Sequence, residues 1–559
     1  MYRLLATAFL VGVAVLASAQ DEDPAVGGKF TFIGNSTVVG VQLVVVPGTT
    51  QFFFMERPSG NHPGGGDANA ALFDSVTGKS WSVQCRLSLE NCGHSYLENG
   101  TIAVLAGHKP QSSYVEGRRG VQLLDLEARA LREVGSLQFG HWLATVTRLP
   151  SGRIAVMSDS PSPVGPIPRK DLIKNPFYEV WDPENPVSTD LHQLEGQFLS
   201  RTKYFYYPFN FILPTGDMFV WSNNYGQIIR PETGEKVMVL PSWLRTGGKG
   251  IFTAYPFSGS AVMLPLRPGN GYKVAEIVVF GGQWSYGWIN TTAVAKAMRL
   301  KIQINDDGSY DVGQWAVEDM PSPRVSGSAV LLPNGQVLLI NGAQRGLLGD
   351  AAAGGVAMLN EPNFRPVLYD PEAAPGLRFT TLARSQIARL LHSTAGLTLD
   401  GGVLVAGGDR SKAYTCSEPH SPSPWGFPEF RVEVFSPPFV FDTPHRPVIT
   451  STSDPFRYGE TDIITFTLED PTANVTSVVL VAPSSDTHGF NMHQRVVELE
   501  ILAYDTDNNH RAASQGQHTV TVRAPPSAAV APAGPYMLYL VAGTTYGPGV
   551  WVKVAREEA

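Results

Sequence analysis

Cysteine is scarce in this chain of 559 residues, which holds only Cys85, Cys92 and Cys416. So few cysteines exclude a fold held together by a disulfide framework, and the odd number leaves at least one thiol unpaired. Cys85 and Cys92 lie close together in sequence, so we expect them to form a small disulfide in an oxidising compartment. Free thiols are the alternative.

Charge is also sparse. Charged residues make up 16% of the chain, and the formal net charge is -8. No run of Lys or Arg is present that would follow a phosphate backbone, which argues against a nucleic-acid partner. Glycine and proline are abundant instead, with 56 and 43 residues, a composition typical of apolar strands joined by tight turns. Long helices should therefore be rare.

The one strongly apolar stretch of the chain lies at its N-terminus. Arg3 precedes apolar residues from Leu4 to Leu16, and Ala17-Ser18-Ala19 has the small residues that signal peptidase recognises. The apolar run is short for a membrane anchor, which is the alternative interpretation. We therefore predict a signal peptide over residues 1–19, a secreted extracellular protein and no membrane span.

Four sequons have the Asn-x-Ser/Thr pattern of N-glycosylation, which fits a secretory route. Their acceptor residues are Asn35, Asn99, Asn290 and Asn474. In a eukaryotic host these residues predict a glycoprotein with sugars on its surface.

A short pattern recurs along the chain: a turn that contains glycine, followed by four or five apolar residues. It occurs as ENGTIAVLAG, PSGRIAVMSD, PTGDMFVWSN, PNGQVLLING and LDGGVLVAGG, with AEIVVFGG as a sixth copy that lacks the turn. Hairpins that recur along a chain in this way are typical of a β-propeller, in which each blade has four strands. Counting a further unit near the N-terminus, we predict an all-β fold with seven blades over residues 25–440.

The pattern changes after residue 440, where prolines interrupt strand pairing. Strands such as ITFTLE, SVVLVAP and PYMLYLVAG follow. Their number and spacing predict an immunoglobulin-like β-sandwich over residues 445–559.

Several motifs resemble the glyoxal oxidase branch of the galactose oxidase-like copper radical oxidases. They are MPSPRVSGSAVLLPNGQVLLINGAQRG, RPVLYDPEAAPG, IARLLHSTAGLTLDGGVLVAGG, EFRVEVFSPPF and THGFNMHQRVVEL. The resemblance covers essentially the whole mature chain and implies a seven-bladed kelch-type propeller with a C-terminal sandwich. It also implies one copper ion held by two tyrosines and two histidines, and oxidation of aldehydes or primary alcohols with reduction of dioxygen to hydrogen peroxide. In the family one of these tyrosines is joined to a cysteine and stores a radical, and the other acts as a base.

Only some of the family's site residues are found at the matching positions of this chain. The two histidines match His392 in RLLHS and His488 in THGFNMHQR, and the cysteine matches Cys92 in ENCGHSYLENG. The radical tyrosine's position is occupied by Leu143 in HWLATVTRLPSG, and the axial tyrosine's position by Leu391. Leucine can neither bind copper nor hold a radical, so the Tyr-Cys radical cofactor is predicted to be absent.

The remaining residues leave alternatives open. If the chain is extended there, His141 would share a face with Leu143 and offer a third imidazole; otherwise it replaces an arginine outside the metal site. Cys92, His392 and His488 together would make the His2Cys set of electron-transfer copper sites, unless Cys92 is in the disulfide. Tyr206, Tyr207 and Tyr255 are expected outside the metal site.

Three functions therefore fit the sequence. The chain is an oxidase with an altered site, a non-catalytic propeller that binds carbohydrate or extracellular matrix, or a copper-binding protein without oxidase turnover. We expect lost or strongly altered catalysis and a ligand that is a small aldehyde, alcohol or carbohydrate.

Overall fold

The structure is a computed structural model that describes residues 23–56, 68–159, 175–202, 205–243, 250–284, 289–348, 358–409, 425, 428–505 and 517–556. The predicted signal peptide and Cys416 lie outside these residues. Strands dominate the described chain, and the prediction of an all-β fold is confirmed. The helical segments are short: α-helices Pro24–Gly27 and Gly196–Thr202, and 3-10 turns Pro268–Asn270, Pro438–Phe441 and Thr443–His445. None of these described helices has the length and apolar character of a membrane span.

Seven antiparallel sheets, each with at least four strands, occupy the described residues up to Ser436. The N-terminal strand β1 (Lys29–Asn35) belongs to the last of them. The first three sheets are β2–β5 (Gln42–Val45, Gln51–Met55, Ala70–Asp74, Ser80–Ser82), β6–β9 (Gly93–Tyr96, Ile102–Leu105, Gly120–Asp125, Ala130–Ser136) and β10–β13 (Thr145–Arg148, Ile154–Met157, Phe177–Trp181, Thr189–Gln193).

The next two sheets are β14–β17 (Phe209–Ile212, Met218–Ser222, Tyr225–Ile229, Lys236–Val239) and β18–β22 (Ser260–Met263, Val274–Phe280, Lys296–Ile304, Tyr310–Val312, Ala316–Asp319). The sixth is β23, β24, β27 and β28 (Ser328–Leu331, Val337–Ile340, Val367–Tyr369, Phe379–Thr381), with a hairpin β25–β26 (Ala343–Leu347, Met358–Pro362) between its strands. The seventh is β29–β31 (Leu391–Leu397, Val403–Asp409, Arg431–Ser436), completed by β1.

The recurring glycine turns join the first two strands of five of these sheets. Their glycines all have positive φ, a conformation that costs other residues more. They are Gly100 (φ 90°), Gly152 (93°), Gly216 (94°), Gly335 (82°) and Gly401 (86°). Each turn is followed by a fully buried second strand, so the sequence repeat corresponds to a structural repeat.

The first strand of a sheet commonly contacts the first strand of the next. These contacts join β6 to β10, β10 to β14, β18 to β23, β23 to β29 and β29 to β2. The chain termini of this region also meet, since β1 pairs antiparallel with β31 along its whole length. At these five boundaries, the first strands of neighbouring sheets therefore lie next to one another.

The C-terminal region forms two further sheets, with strand orders β32-β34-β40-β39 and β33-β43-β41-β35-β38. The strands from β32 to β43 are Val448–Ser451, Phe456–Arg457, Thr461–Thr467, Ser477–Val481, Ser485–Thr487, Phe490–Asn491, Val496–Glu498, Glu500–Asp505, Gln517–Arg523, Gly534–Ala542, Thr545–Tyr546 and Val550–Ala555. Phe466, Leu480 and Leu538 are fully buried between them.

One hairpin of this C-terminal region belongs to a sheet of the N-terminal region. Strand β36 pairs with β2, Gln42 opposite Thr487 and Leu43 opposite Asp486, and β36 with its partner β37 also contacts β18, β23 and β29. Buried Asp486 accepts hydrogen bonds from the Ser328 hydroxyl (2.7 Å) and the Ala395 amide (2.9 Å), and burial raises its pKa to about 6. The hairpin is therefore anchored among the first strands.

A substitution at Tyr96 tests how strongly this hairpin is held against the sheets. Its fully buried hydroxyl lies 2.8 Å from the carbonyls of Val45 and Ser484, one in β2 and one beside the hairpin. We expect Tyr96→Phe to lower the apparent unfolding temperature, since it leaves two buried carbonyls without this donor, a cost of about 1–3 kcal/mol.

Tyr225→Phe is the matched control, because the Tyr225 hydroxyl is buried without a hydrogen-bond partner among the described residues. Calorimetry of both variants should show a loss for Tyr96→Phe and none for Tyr225→Phe. Equal unfolding temperatures would show that the Tyr96 contacts contribute nothing to the attachment.

Candidate functional site

One backbone position repeats at the start of several sheets. Asn91, Leu143, Tyr207 and Ser326 each stand two residues before a first strand, and all four have φ between 46° and 63°. Three of them are linked in sequence order, since the Leu143 amide donates to the Asn91 carbonyl (3.1 Å) and the Tyr207 amide to the Leu143 carbonyl (2.7 Å). Left-handed conformations at residues other than glycine concentrate at functional sites, so this end of the first strands is the candidate site.

Two histidines meet at this end. His392 lies in β29 with φ 57°, and His488 lies in the turn between β36 and β37 with φ 51°. Both are buried, and their ring centroids are 4.9 Å apart at an angle of 73°. The hairpin from the C-terminal region therefore brings the two predicted imidazoles together.

Hydrogen bonds orient both rings in the same way. The Thr487 hydroxyl donates to the Val41 carbonyl (2.9 Å), so it accepts from His488 Nδ1 at 2.7 Å. Nδ1 of His392 lies 3.3 Å from a carboxylate oxygen of Asp409. Both imidazoles thus use Nδ1 in a hydrogen bond, so the lone pair on Nε2 is the one available to a metal ion.

The environment of His488 favours this neutral form. Burial, followed by the nearby His392 and His94, lowers the pKa of His488 well below its ordinary value. Its Nε2 is buried and has no hydrogen-bond partner among the described residues. A neutral imidazole with an unused lone pair in a buried site has the properties of a metal ligand.

The arrangement of His392 and His488 fits a metal ion. The two tyrosine ligands that the family resemblance implies are not present at Leu143 and Leu391. Two imidazoles that bind one ion through nitrogens at about 2.0 Å have ring centroids roughly 4.5–6 Å apart, depending on the angle at the ion, and the 4.9 Å between His392 and His488 lies within that range. Within the described ranges, no third His, Cys, Asp or Glu completes a group that could hold a metal. At this end of the first strands, the two imidazoles therefore offer two nitrogen donors, and the side chain of Leu143 offers none.

The two leucines border the site as apolar residues. Leu143 is fully buried and packs in a cluster with Tyr206 and Tyr207, and Leu391 packs in a smaller cluster with Leu348. Neither side chain can donate to a metal or accept a proton.

The predicted disulfide between Cys85 and Cys92 is wrong, because both residues are free thiols with separate partners. Cys92 Sγ lies 3.0 Å from the side-chain amide of Gln42 and 3.8 Å from Met55 Sδ, whereas Cys85 donates to Asn69. Burial raises the pKa of both thiols, that of Cys85 to about 12. The His2Cys set is not assembled either, since Cys92 and the two histidines do not form a metal-binding group.

His141 does not join the pair. Its Nε2 is 3.2 Å from a carboxylate oxygen of Glu179, which also accepts from the Phe139 amide, and both side chains are fully buried. His141 would share a face with Leu143 only in an extended strand, but β10 begins at Thr145. His141 is held within its own sheet.

Two of the three tyrosines that we expected outside the metal site contact His488. The Tyr207 ring stacks on His488 (centroids 4.9 Å apart) and its hydroxyl donates to the Cys92 carbonyl (3.0 Å). Tyr255 meets His488 edge-on at 5.7 Å, and Trp142 lies edge-on to Tyr206 at 5.3 Å.

The sequence did contain a signal for Tyr207, which the motif comparison missed. Leu143 and Tyr207 stand at the same distance before a Leu-Pro-x-Gly turn, in LATVTRLPSG and YPFNFILPTG. They are equivalent residues of consecutive sheets, so a tyrosine from the neighbouring sheet lies beside the leucine. Comparing the repeats with one another would have placed it at the site.

The predicted glycosylation residues are accessible. Asn35, Asn99, Asn290 and Asn474 are all exposed in the structure.

Comparisons with known proteins agree on a family. Residues 111–439 match the glyoxal oxidase N-terminus, and residues 446–554 match the galactose oxidase-like early set domain. The chain is 32% identical over 421 residues to the aldehyde oxidase GLOX of Vitis pseudoreticulata, covering 75% of this chain and 72% of that protein. It is 30% identical over 433 residues to the aldehyde oxidase GLOX1 of Arabidopsis thaliana, covering 74% of this chain and 63% of that protein.

The fold agrees with a solved structure, a fungal alcohol oxidase of the AA5 family in complex with copper. The TM-score is 0.68 at 20% identity, and the match covers 94% of this chain and 99% of that one. An all-β chain with an early set domain at its C-terminus, carrying these family matches, belongs to the copper radical oxidases. Within that class, the chain belongs to the glyoxal oxidase branch of the galactose oxidase-like family.

Alkylation tests the state of Cys92. If it is a free thiol, denatured and unreduced protein treated with iodoacetamide should yield Cys85 and Cys92 peptides that are both alkylated. In the folded protein Cys92 should react far more slowly, because it is fully buried.

Mass spectrometry of the peptides distinguishes the outcomes. A Cys92 peptide that resists alkylation, linked either to Cys85 or to a tyrosine peptide, would contradict the free thiol.

Proposed function

We propose that this chain is a copper-binding member of its family that lacks radical-oxidase turnover. The observation that carries the proposal is the His392–His488 pair, whose rings both engage Nδ1 while Nε2 of His488 is left buried without a partner. Leucines occupy the places where the family resemblance expects tyrosines.

The proposal includes a seven-bladed propeller as the scaffold. The contacts between successive first strands and the pairing of β1 with β31 support a closed ring of sheets. In such a ring, the hairpin from the sandwich occupies the central channel and presents His488 at one end of it.

In this scheme, Nε2 of His392 and Nε2 of His488 would hold the metal. When bound, copper at this position supplies a Lewis acid that polarises an oxygen atom of a ligand. Thr487 and Asp409 keep both rings in the metal-binding tautomer, and the aromatic rings around them limit the access of water.

The residues beside the pair are unsuited to radical chemistry. Leu391 offers no base to remove a proton from an alcohol, and Leu143 offers no oxidisable ring. Tyr207 is the nearest replacement, but burial raises its pKa well above the ordinary value, and its hydroxyl donates to the Cys92 carbonyl. It therefore remains a neutral phenol directed away from the imidazole that it stacks on.

A second candidate function is ligand binding without any reaction. Trp142 and Tyr255 are partly exposed beside the buried Tyr206. Aromatic rings with one accessible edge suit the apolar face of a small alcohol, aldehyde or carbohydrate. The N-terminal segment and the four exposed sequons support an extracellular location for either function, on a cell wall or in a matrix.

Copper titration tests the imidazole pair directly. The purified chain should bind one Cu²⁺ with nitrogen hyperfine coupling in its electron paramagnetic resonance spectrum, and His392→Ala or His488→Ala should abolish that signal. Thr487→Val should weaken binding by about 10–100-fold, because His488 loses the acceptor that fixes its tautomer.

His192→Ala is the control, because His192 lies in the outer strand β13 and stacks on Tyr178. It should bind copper as the wild type does. Copper binding that survives both His392→Ala and His488→Ala would place the metal elsewhere and refute the site.

Peroxide release tests the absence of turnover. Across a panel of aldehydes and primary alcohols, the copper-loaded wild type should release no more hydrogen peroxide than His488→Ala does. Turnover by the wild type that disappears in His488→Ala would contradict the proposal. If turnover were also lost in the separate variant Tyr207→Phe, Tyr207 would be identified as the replacement redox residue.

A further inference from the structure

A polar cavity lies at the junction between the sheets and the C-terminal region, apart from the histidine pair. Its volume is about 30 Å³. It is lined by Thr147 and Arg148 of β10, Asn210 of β14 and Arg495 of the C-terminal region, together with Tyr536 and His493.

The polar groups of this cavity lack partners. Nε and Nη2 of Arg148, both side-chain atoms of Asn210 and the Thr147 hydroxyl are buried without a hydrogen-bond partner among the described residues. Arg148, Asn210 and Thr147 are 4%, 1% and 3% exposed. Each unpaired buried group of this kind is costly, so a set of them around one cavity indicates a missing partner.

The charge of the cavity is positive and unbalanced. Arg148 has no carboxylate within ion-pair distance in the described residues, and Arg495 directs its guanidinium to the neutral carbonyls of Val530 and Ala529. The charge of Glu98 acts on Arg148 and raises its pKa, but Glu98 lies 3.7 Å from Arg556 and forms no ion pair with Arg148.

Of the other titratable groups near the two arginines, Glu98 and Arg556 carry opposite charges and lie close to each other, and burial raises the pKa of Tyr458, which keeps it neutral. Burial, followed by Arg148 and Arg495, lowers the pKa of His493 to about 3. Burial raises the pKa of Tyr536 to about 12, and its hydroxyl donates to the Pro532 carbonyl. Neither buried guanidinium therefore forms an ion pair with a carboxylate of the described residues.

We propose that this cavity is a binding site for one small monovalent anion of about the size of chloride. Arg148 and the Asn210 amide would donate to it, the Thr147 hydroxyl would add a third donor, and Arg495 would supply the second positive charge. A volume of about 30 Å³ admits a halide or a few water molecules and is too small for sulfate or phosphate.

The position of the cavity gives the anion a structural role. Arg148 and Asn210 belong to two neighbouring sheets, and Arg495 belongs to the segment that follows the hairpin carrying His488. An anion bound among them joins three parts of the chain that have no disulfide between them in the described residues. Halide binding should therefore stabilise the junction between the two regions.

Thermal unfolding of the full chain tests this inference, with chloride titrated against gluconate at constant ionic strength. The wild type should show a saturable rise of roughly 2–5 °C in apparent unfolding temperature. Asn210→Asp, which builds a carboxylate into the cavity, should remove the chloride dependence and raise the unfolding temperature in gluconate. The matched control Asn185→Asp, at an exposed position, should retain the wild-type response.

Crystals soaked in bromide provide the second measurement. An anomalous peak between Arg148 and Asn210 in the wild type, absent in Asn210→Asp, is the expected result. No peak, or unfolding temperatures that rise in parallel in all three proteins, would mean that the cavity holds water alone and would overturn the proposal. Because neither measurement involves copper, this outcome is independent of the proposed function.

Discussion

The insertion of the β36–β37 hairpin among the first strands is the contact on which the rest of this molecule depends. Its strand extends the sheet of β2, Asp486 accepts hydrogen bonds from β23 and β29, and its turn carries His488. Since His392 comes from β29, no single region of the chain contains the imidazole pair. The site forms only when the C-terminal region is docked on the sheets. The interactions that stabilise the junction therefore also determine the geometry of the site.

That dependence also explains where polar groups are buried. Thr487 orients His488, the Tyr96 hydroxyl bridges the hairpin to β2, and the arginine cavity lies where the hairpin's following segment meets β10 and β14. Buried polar groups need partners, and the Thr487 and Tyr96 hydroxyls find theirs across the junction between the two regions of the chain, whereas Arg148 lacks one. The junction thus combines an orienting network with an unbalanced positive cavity.

The chemistry of the site follows from which residues stand at one repeated backbone position. Asn91, Leu143, Tyr207 and Ser326 share it, and the copy at Tyr207 places an aromatic ring against His488. A leucine at one copy and a tyrosine at the next produce an apolar wall with a stacked phenol. The fold alone therefore does not decide which chemistry the site supports, because the side chains at these repeated positions differ from one another.

The sequence by itself determined the β-rich class, the turns with their positive-φ glycines and the family, because strand periodicity, turn chemistry and motif spacing are local properties of the chain. It also pointed to the two histidines that meet in the structure. It left His141 open, and it misjudged the Cys85–Cys92 pair and the places of Tyr207 and Tyr255. Each of those depended on side-chain direction: Cys92 points toward Met55, His141 toward Glu179, and Tyr207 toward His488 across a sheet boundary. Only the tertiary structure decided these directions, because each partner lies in another strand, and packing, not spacing along the chain, selects which side chains meet.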